Sequence, residues 1–157
     1  MIDNTIIIGG GLLGTEIQNQ IKINNGSAHI LKGITNEDSD LIPKDTDCVI
    51  IVAQSKDYKE KNMTEDLFFS NTILPLKIIL EAHKVGVKKI GFCSTGSIYS
   101  DNTNYHLENE QLPSFANSPY ASTKRATELM LETHKILFER LVIYRPFFIY
   151  GKNQTNE

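Results

Sequence analysis

The sequence contains no tryptophan, only two cysteines and five prolines, and neither sign of charge dominates its 157 residues. Sixteen lysines and arginines face nineteen aspartates and glutamates, a formal net charge of −3. That balance removes the electrostatic reason to expect nucleic acid or an acidic membrane surface as partner. Cys48 and Cys93 are too few for a disulfide framework and sit in apolar strand-like runs, so they read as buried thiols of a reducing, cytoplasmic compartment. The chain opens Met1-Ile2-Asp3 and passes at once into a strand pattern, so no signal peptide is predicted. No apolar stretch approaches the ~20 residues of a membrane-spanning helix, and no membrane partner is predicted. Repeats and low-complexity tracts are also missing. With 40% hydrophobic and 22% charged residues the composition excludes collagen, coiled coil and wholesale disorder, leaving one ordinary domain with a sizeable core.

What is present is an alternation of apolar runs, turns and helical patterns. Ile6-Ile7-Ile8 is a continuous β-branched run that ends in three glycines. Leu13, Ile17 and Ile21 then recur every four residues, the spacing of one helix face, and Asn25-Gly26 stops that helix. Ala28 to Leu31 reads as a second strand and Cys48 to Ala53 (CVIIVA) as a third. The pattern from Thr64 to Lys84 predicts a long helix with Thr64 as N-cap and Glu65 and Asp66 in its first turn. Pro75 inside it predicts a kink or two abutting helices. Lys89 to Ser94 is the next strand, Ser100 to Ser118 a polar loop, and Tyr120 to Phe138 a helix buried through Leu129, Leu131, His134, Leu137 and Phe138. Leu141 to Tyr144 is the last strand. Continuous apolar strands alternating with helices predict a doubly wound parallel α/β sheet of Rossmann type, covered on both faces. Only Lys32 to Asp47 separates the second strand from CVIIVA, so that region is predicted to be abbreviated to loop or a single turn.

Gly9-Gly10-Gly11-Leu12-Leu13-Gly14 matches G-x-G-x-x-G with a strand before and a helix after. In this setting Gly9 permits the tight turn, Gly11 lets backbone approach a pyrophosphate, and Gly14 allows close helix–sheet packing. The helix N-terminus presents free N–H groups to the anion. The acidic residue that would bind the adenosine ribose at the end of the second strand is missing; the strand ends Leu31-Lys32-Gly33. Lys32 either meets a 2′-phosphate or is a solvated strand end, and Glu37 and Asp38 offer another route to the ribose. NAD and NADP both stay open.

Tyr120 and Lys124, four apart in YASTK, fall on one face of a helix one turn apart. An ammonium near a phenol favours phenolate. Lowering a tyrosine from about 10 to near 7 requires ~4 kcal/mol, about what one charge ~4 Å away in a partly screened site supplies. Tyr120 is then predicted to exchange protons with a substrate hydroxyl at neutral pH. The Y-x-x-x-K spacing alone is common by chance. Three neighbours strengthen it: Ser94-Thr95 at the carboxyl end of a predicted parallel strand, Pro119 at the helix entry, and Arg145-Pro146-Phe147-Phe148-Ile149-Tyr150-Gly151 after the last strand.

In that order the glycine loop, CVIIVAQS, Asn71 with the helix ending LEAHKVGVKKI, STGSIY, SPYASTK and RPFFIYG run from Ile6 to Gly151. Together they resemble an extended short-chain dehydrogenase/reductase of the NAD-dependent epimerase/dehydratase group acting on nucleotide sugars. The resemblance implies that Tyr120 is the general acid/base and that Lys124 holds the nicotinamide ribose and lowers the tyrosine pKa. Thr95 would hydrogen-bond the reacting sugar oxygen. Gly9, Gly11, Leu12, Leu13, Gly14, Lys32, Ala53, Gln54, Pro146 and Phe147 would border the dinucleotide with Tyr120 and Lys124. It further implies a nucleotide-sugar substrate, a homodimer through the two long helices, and NAD or NADP as cofactor.

Two departures narrow the chemistry. Family dehydratases and decarboxylases carry a carboxylate after the threonine, where this chain has Gly96 and Ser97, which leaves epimerisation or ketone/alcohol redox. The family asparagine that helps hold substrate phosphate is here Phe148. Family enzymes run to roughly twice this length, so residues 1–157 read as the dinucleotide-binding domain without the C-terminal substrate domain. The competing reading is a dinucleotide-binding protein without turnover, a regulator or an inactive fragment. The four histidines show no metal-ligand spacing, and no metal is predicted. Asn25-Gly26-Ser27, Asn62-Met63-Thr64 and Asn153-Gln154-Thr155 match the glycosylation pattern by chance; Lys56 to Lys61 reads as a solvated loop and Tyr99 as packing behind the site.

Overall fold

The computed structural model describes residues 4–99 and 118–151. Residues 100–117 of the polar loop predicted over Ser100 to Ser118, with His106, and the Asn153-Gln154-Thr155 match lie outside the described residues.

Five strands form one parallel sheet: β1 (Asn4–Ile8), β2 (Ser27–Leu31), β3 (Cys48–Ile51), β4 (Lys89–Cys93) and β5 (Arg140–Tyr144), in the order β2-β1-β3-β4-β5. The order reverses between β1 and β3, and such a switch point opens a crevice at the carboxyl ends of the strands. Ile6 and Ile8 bury into the main core with Val49, Ile51, Ile78, Ile79 and Phe92. Ile7 points to the other face, where it packs with Ile21 and Ala28 beneath α1 (Leu12–Ile23). A β-branched run with no polar alternation is what a strand covered on both faces requires. At the end of α1, Asn25 takes a left-handed φ of 60° and the Gly26 N–H closes on the Ile21 carbonyl at 2.9 Å.

No helix occupies the β2–β3 connection. From α3 (Leu74–Val85), Lys77 Nζ donates to the Asn36 carbonyl at 2.8 Å and Glu81 accepts from the Ile42 N–H at 2.7 Å. The polar face of a helix thus pins the shortened segment.

The helical stretch predicted over Thr64 to Lys84 is α2 (Glu65–Phe68), a five-residue π-helical segment (Phe69–Ile73), then α3. Thr64 caps it, its hydroxyl accepting from the Leu67 N–H at 3.1 Å. Pro75 supplies no N–H to the Asn71 carbonyl one turn back, and that oxygen instead accepts from the buried Thr127 hydroxyl at 2.6 Å. The donor comes from α4 (Pro119–His134), which Ser118 caps through the Ala121 N–H.

The helix predicted to run to Phe138 ends at His134 and tightens into a 3-10 turn over Lys135–Leu137. Leu131 and Phe138 are buried as predicted, but Leu129 is 53% exposed. Leu129 lies two positions from Leu131, about 200° around the helix, so the two cannot share a face.

Candidate active site

The carboxyl ends of β1, β3 and β4 open on a cleft of about 1130 Å³. Gly9 leaves β1 with φ +116°, and a Cβ there would stand 2.7 Å from the Ala53 backbone nitrogen. Gly14 is tighter still: its Cβ would sit 2.0 Å from the Gly9 carbonyl oxygen. Gly11, by contrast, faces open space, with nothing within 4 Å of where a Cβ would be. The first and last glycines are therefore demanded by the protein's own packing. The middle one leaves room for something outside it.

Leu12 and Leu13 at the start of α1 lie on the cleft wall with these glycines, as do Lys32 and, beyond β3, Ala53 and Gln54. Tyr120 and Lys124 line the same cleft from α4. Thr95, Pro146 and Phe147 do not line it. Phe147 instead stacks on Tyr99 (centroids 5.8 Å, planes 12° apart), with its ring where a Gly96 Cβ would be, 2.6 Å away. From that segment it is Ile149 that reaches the cleft. Tyr99 is buried behind the wall, its hydroxyl accepting from Arg145 at 3.0 Å.

Lys124 is only 2% exposed. Its Nζ donates to the Cys93 carbonyl at 3.0 Å and the Ala53 carbonyl at 3.2 Å, and stands 5.1 Å from the Phe92 ring centre. Burial lowers its pKa to about 8, against the upward pull of Cys93 and Glu128. Tyr120 goes the other way. Burial pushes its phenol up to about 12, opposed by a hydrogen bond from Thr95 and reinforced by Cys93 and Tyr58. The lowering of Tyr120 by Lys124 predicted from spacing is therefore absent. The ammonium is turned into the carbonyls of two strand ends, and desolvation governs the phenol.

Other wall residues were not among those predicted to border the dinucleotide. Tyr58, inside the charge run read as solvated loop, meets the Tyr120 ring edge-on at 6.3 Å. Asp66 accepts from the Ser55 hydroxyl, from the Lys56 N–H at 3.0 Å and from the Ser70 hydroxyl at 3.3 Å, which together hold its carboxyl below the usual range. Cys93 lines the cleft half-buried, and burial raises its thiol pKa. Ser94, also on the wall, keeps a buried hydroxyl with no hydrogen-bond partner among the described residues. The open space at Gly11 and the unmatched Ser94 hydroxyl fit a polar ligand lying along the glycine loop.

The sequence pattern described as the NAD dependent epimerase/dehydratase family matches residues 17–157. The chain belongs to that family. The match begins inside α1, so the glycine loop is a separate observation in its favour. Among solved structures, UDP-N-acetylglucosamine 4-epimerase from Methanobrevibacter ruminantium, in complex with UDP-N-acetylmuramic acid, is 27% identical with a TM-score of 0.80 over 100% of this chain and 59% of that one. UDP-N-acetylglucosamine 4-epimerase from Bacillus cereus is 22% identical (TM-score 0.79; 97% of this chain, 63% of that chain). UDP-glucose 4-epimerase from Thermus thermophilus, in complex with NAD, is 20% identical (TM-score 0.75; 98% and 58%). The two below 25% identity show the shared fold. The chain spans roughly three fifths of the length of these structures. No curated protein matches it. Among the described residues no helix is long and apolar enough to cross a membrane.

Proposed function

We propose that this family member binds an NAD-type dinucleotide along the glycine loop and acts on a nucleotide sugar, transiently oxidising one sugar hydroxyl. The observation that carries the reading is that Tyr120 and Lys124 line one cleft with Gly9–Gly14, while Thr95 behind them opposes the rise of the Tyr120 pKa. When bound, the oxidised dinucleotide supplies a hydride acceptor and a positive charge. Tyr120 moves the hydroxyl proton, and Thr95 favours the ionised phenol. Lys124, with two N–H groups held by carbonyls, keeps the third for a ribose hydroxyl. Gly96 and Ser97 place no carboxylate beside Thr95, which favours epimerisation or ketone/alcohol redox over dehydration. Residues 1–157 are, in this reading, the dinucleotide-binding unit of the enzyme.

The test is incubation with NAD and a panel of UDP- and dTDP-sugars, following reduced nicotinamide at 340 nm and sugar stereochemistry by NMR. Tyr120→Phe is expected to lower turnover at least ~100-fold at unchanged dinucleotide affinity. Absence of dinucleotide binding at millimolar concentration overturns the reading. One observation favours dinucleotide binding without turnover: a phenol held at about 12 keeps its proton at neutral pH until a cation lowers it. Tight binding with no reduction across the panel selects that second reading.

A further inference from the structure

Lys32 places a positive charge on the cleft wall at the end of β2. Lys32 follows the last residue of β2, and its side-chain stem lies along the glycine loop, Cδ 3.3 Å from where a Gly10 Cβ would be. It lines the cleft and is exposed, and its ammonium forms no ion pair or hydrogen bond with the described residues. The carboxylates that could receive a ribose diol there are otherwise engaged or elsewhere. Asp38 accepts from the Thr35 N–H at 2.7 Å and from the Thr35 hydroxyl at 2.9 Å, and neither Asp38 nor Glu37 is on the wall. Thr35 and Asn36 are on it, and Lys77 sits behind them with its Nζ on the Asn36 carbonyl. Among the described residues the one carboxylate lining the cleft is Asp66, held by Ser55, Lys56 and Ser70.

A 2′-hydroxyl is recognised by a carboxylate acceptor, whereas a 2′-phosphate brings close to two negative charges and asks for a cation. We propose that Lys32 is a specificity-determining residue and that this chain selects the 2′-phosphorylated dinucleotide, NADP(H) over NAD(H). The inference rests on the dinucleotide function proposed above. Lys32 meets the phosphate with its ammonium, and Lys77 adds a second positive charge behind the wall, beside Asp38.

The experiment is a titration of NADH and NADPH into the full chain, read by nicotinamide fluorescence and by thermal shift, at low and at physiological salt. NADPH is expected to bind about tenfold tighter, with the margin shrinking as salt rises. Lys32→Ala is expected to bring the two affinities together while NADH affinity stays within about twofold, and Lys32→Glu to favour NADH. Lys32 is exposed, so these variants keep the fold. Equal or tighter binding of NADH, or an NADPH preference that survives Lys32→Ala, overturns the inference and leaves the dinucleotide function standing. Binding of neither dinucleotide at millimolar concentration overturns both.

Discussion

Glu128, wholly buried in α4, holds Arg145 at the end of β5 through two parallel contacts, Nε to Oε1 at 2.9 Å and Nη2 to Oε2 at 3.0 Å. The same guanidinium donates to Tyr99, on which Phe147 stacks. The helix that carries Tyr120 and Lys124 is thereby locked to the two segments following β4 and β5.

Removing Arg145 leaves a carboxylate out of water with Arg125, at 3.1 Å, as its remaining ion-pair partner among the described residues. Arg145→Met is expected to cost about 3 kcal/mol in urea unfolding, and Arg125→Met, whose side chain is more exposed, under about 1 kcal/mol. Equal costs would show that the buried pair contributes no more than the outer one.

Gly96 is where the Phe147 ring lies. Gly96→Ala is expected to displace that ring and cost about 1–3 kcal/mol, and adding Phe147→Ala to recover part of the loss. Additive losses in the double-mutant cycle would mean that the two positions do not touch in solution.

The glycine loop separates packing from binding. Gly14→Ala drives a Cβ into a backbone carbonyl and is expected to destabilise by more than about 3 kcal/mol. Gly11→Ala meets no atom of the protein and has an ordinary φ of −73°, so its melting temperature should stay near wild type. Its dinucleotide affinity should nevertheless fall at least about tenfold. Calorimetry and a binding titration on both variants check this pair.

Burial of Lys124 gives the fold a pH dependence of definite sign. Its pKa is near 8 folded against 10.5 unfolded, so the unfolded chain holds more protons between those values. Stability from this group rises across that window and is lost as pH falls through about 8. Relative to Lys124→Met, the wild type should gain up to about 3 kcal/mol between pH 8 and 10.5, measured by denaturant unfolding. Tyr120 acts oppositely: raised to about 12, it stabilises below pH 10 and loses that stabilisation as pH climbs to 12. A flat difference between the two proteins would mean that Lys124 reaches water.

Much of this was legible in the residues. Ile6-Ile7-Ile8 announces a two-faced strand because no polar residue interrupts it, and the 1–157 pattern of strands and helices yields the parallel sheet. Gly9 to Gly14 could be read from spacing because glycine is the residue that tolerates those approaches. Thr64 as cap and Pro75 as the break in the helix were equally local. Leu129 departs from its predicted burial because it stands about 200° around α4 from Leu131, and Tyr58 reaches the site from within a charged run.

The succession of strands and helices, the glycine turn and the one-turn spacing of Tyr120 and Lys124 follow from the residues alone, since each depends on neighbours within a few positions. Where their charges and rings go is set by long-range packing. Glu128 finds Arg145 seventeen residues away, Phe147 finds the bare face of Gly96, and Lys77 finds the Asn36 carbonyl across the β2–β3 segment. Lys124 turned to two strand-end carbonyls instead of the phenol for the same reason: burial strips water from an ammonium, and the groups that replace it come from whatever the fold brings near.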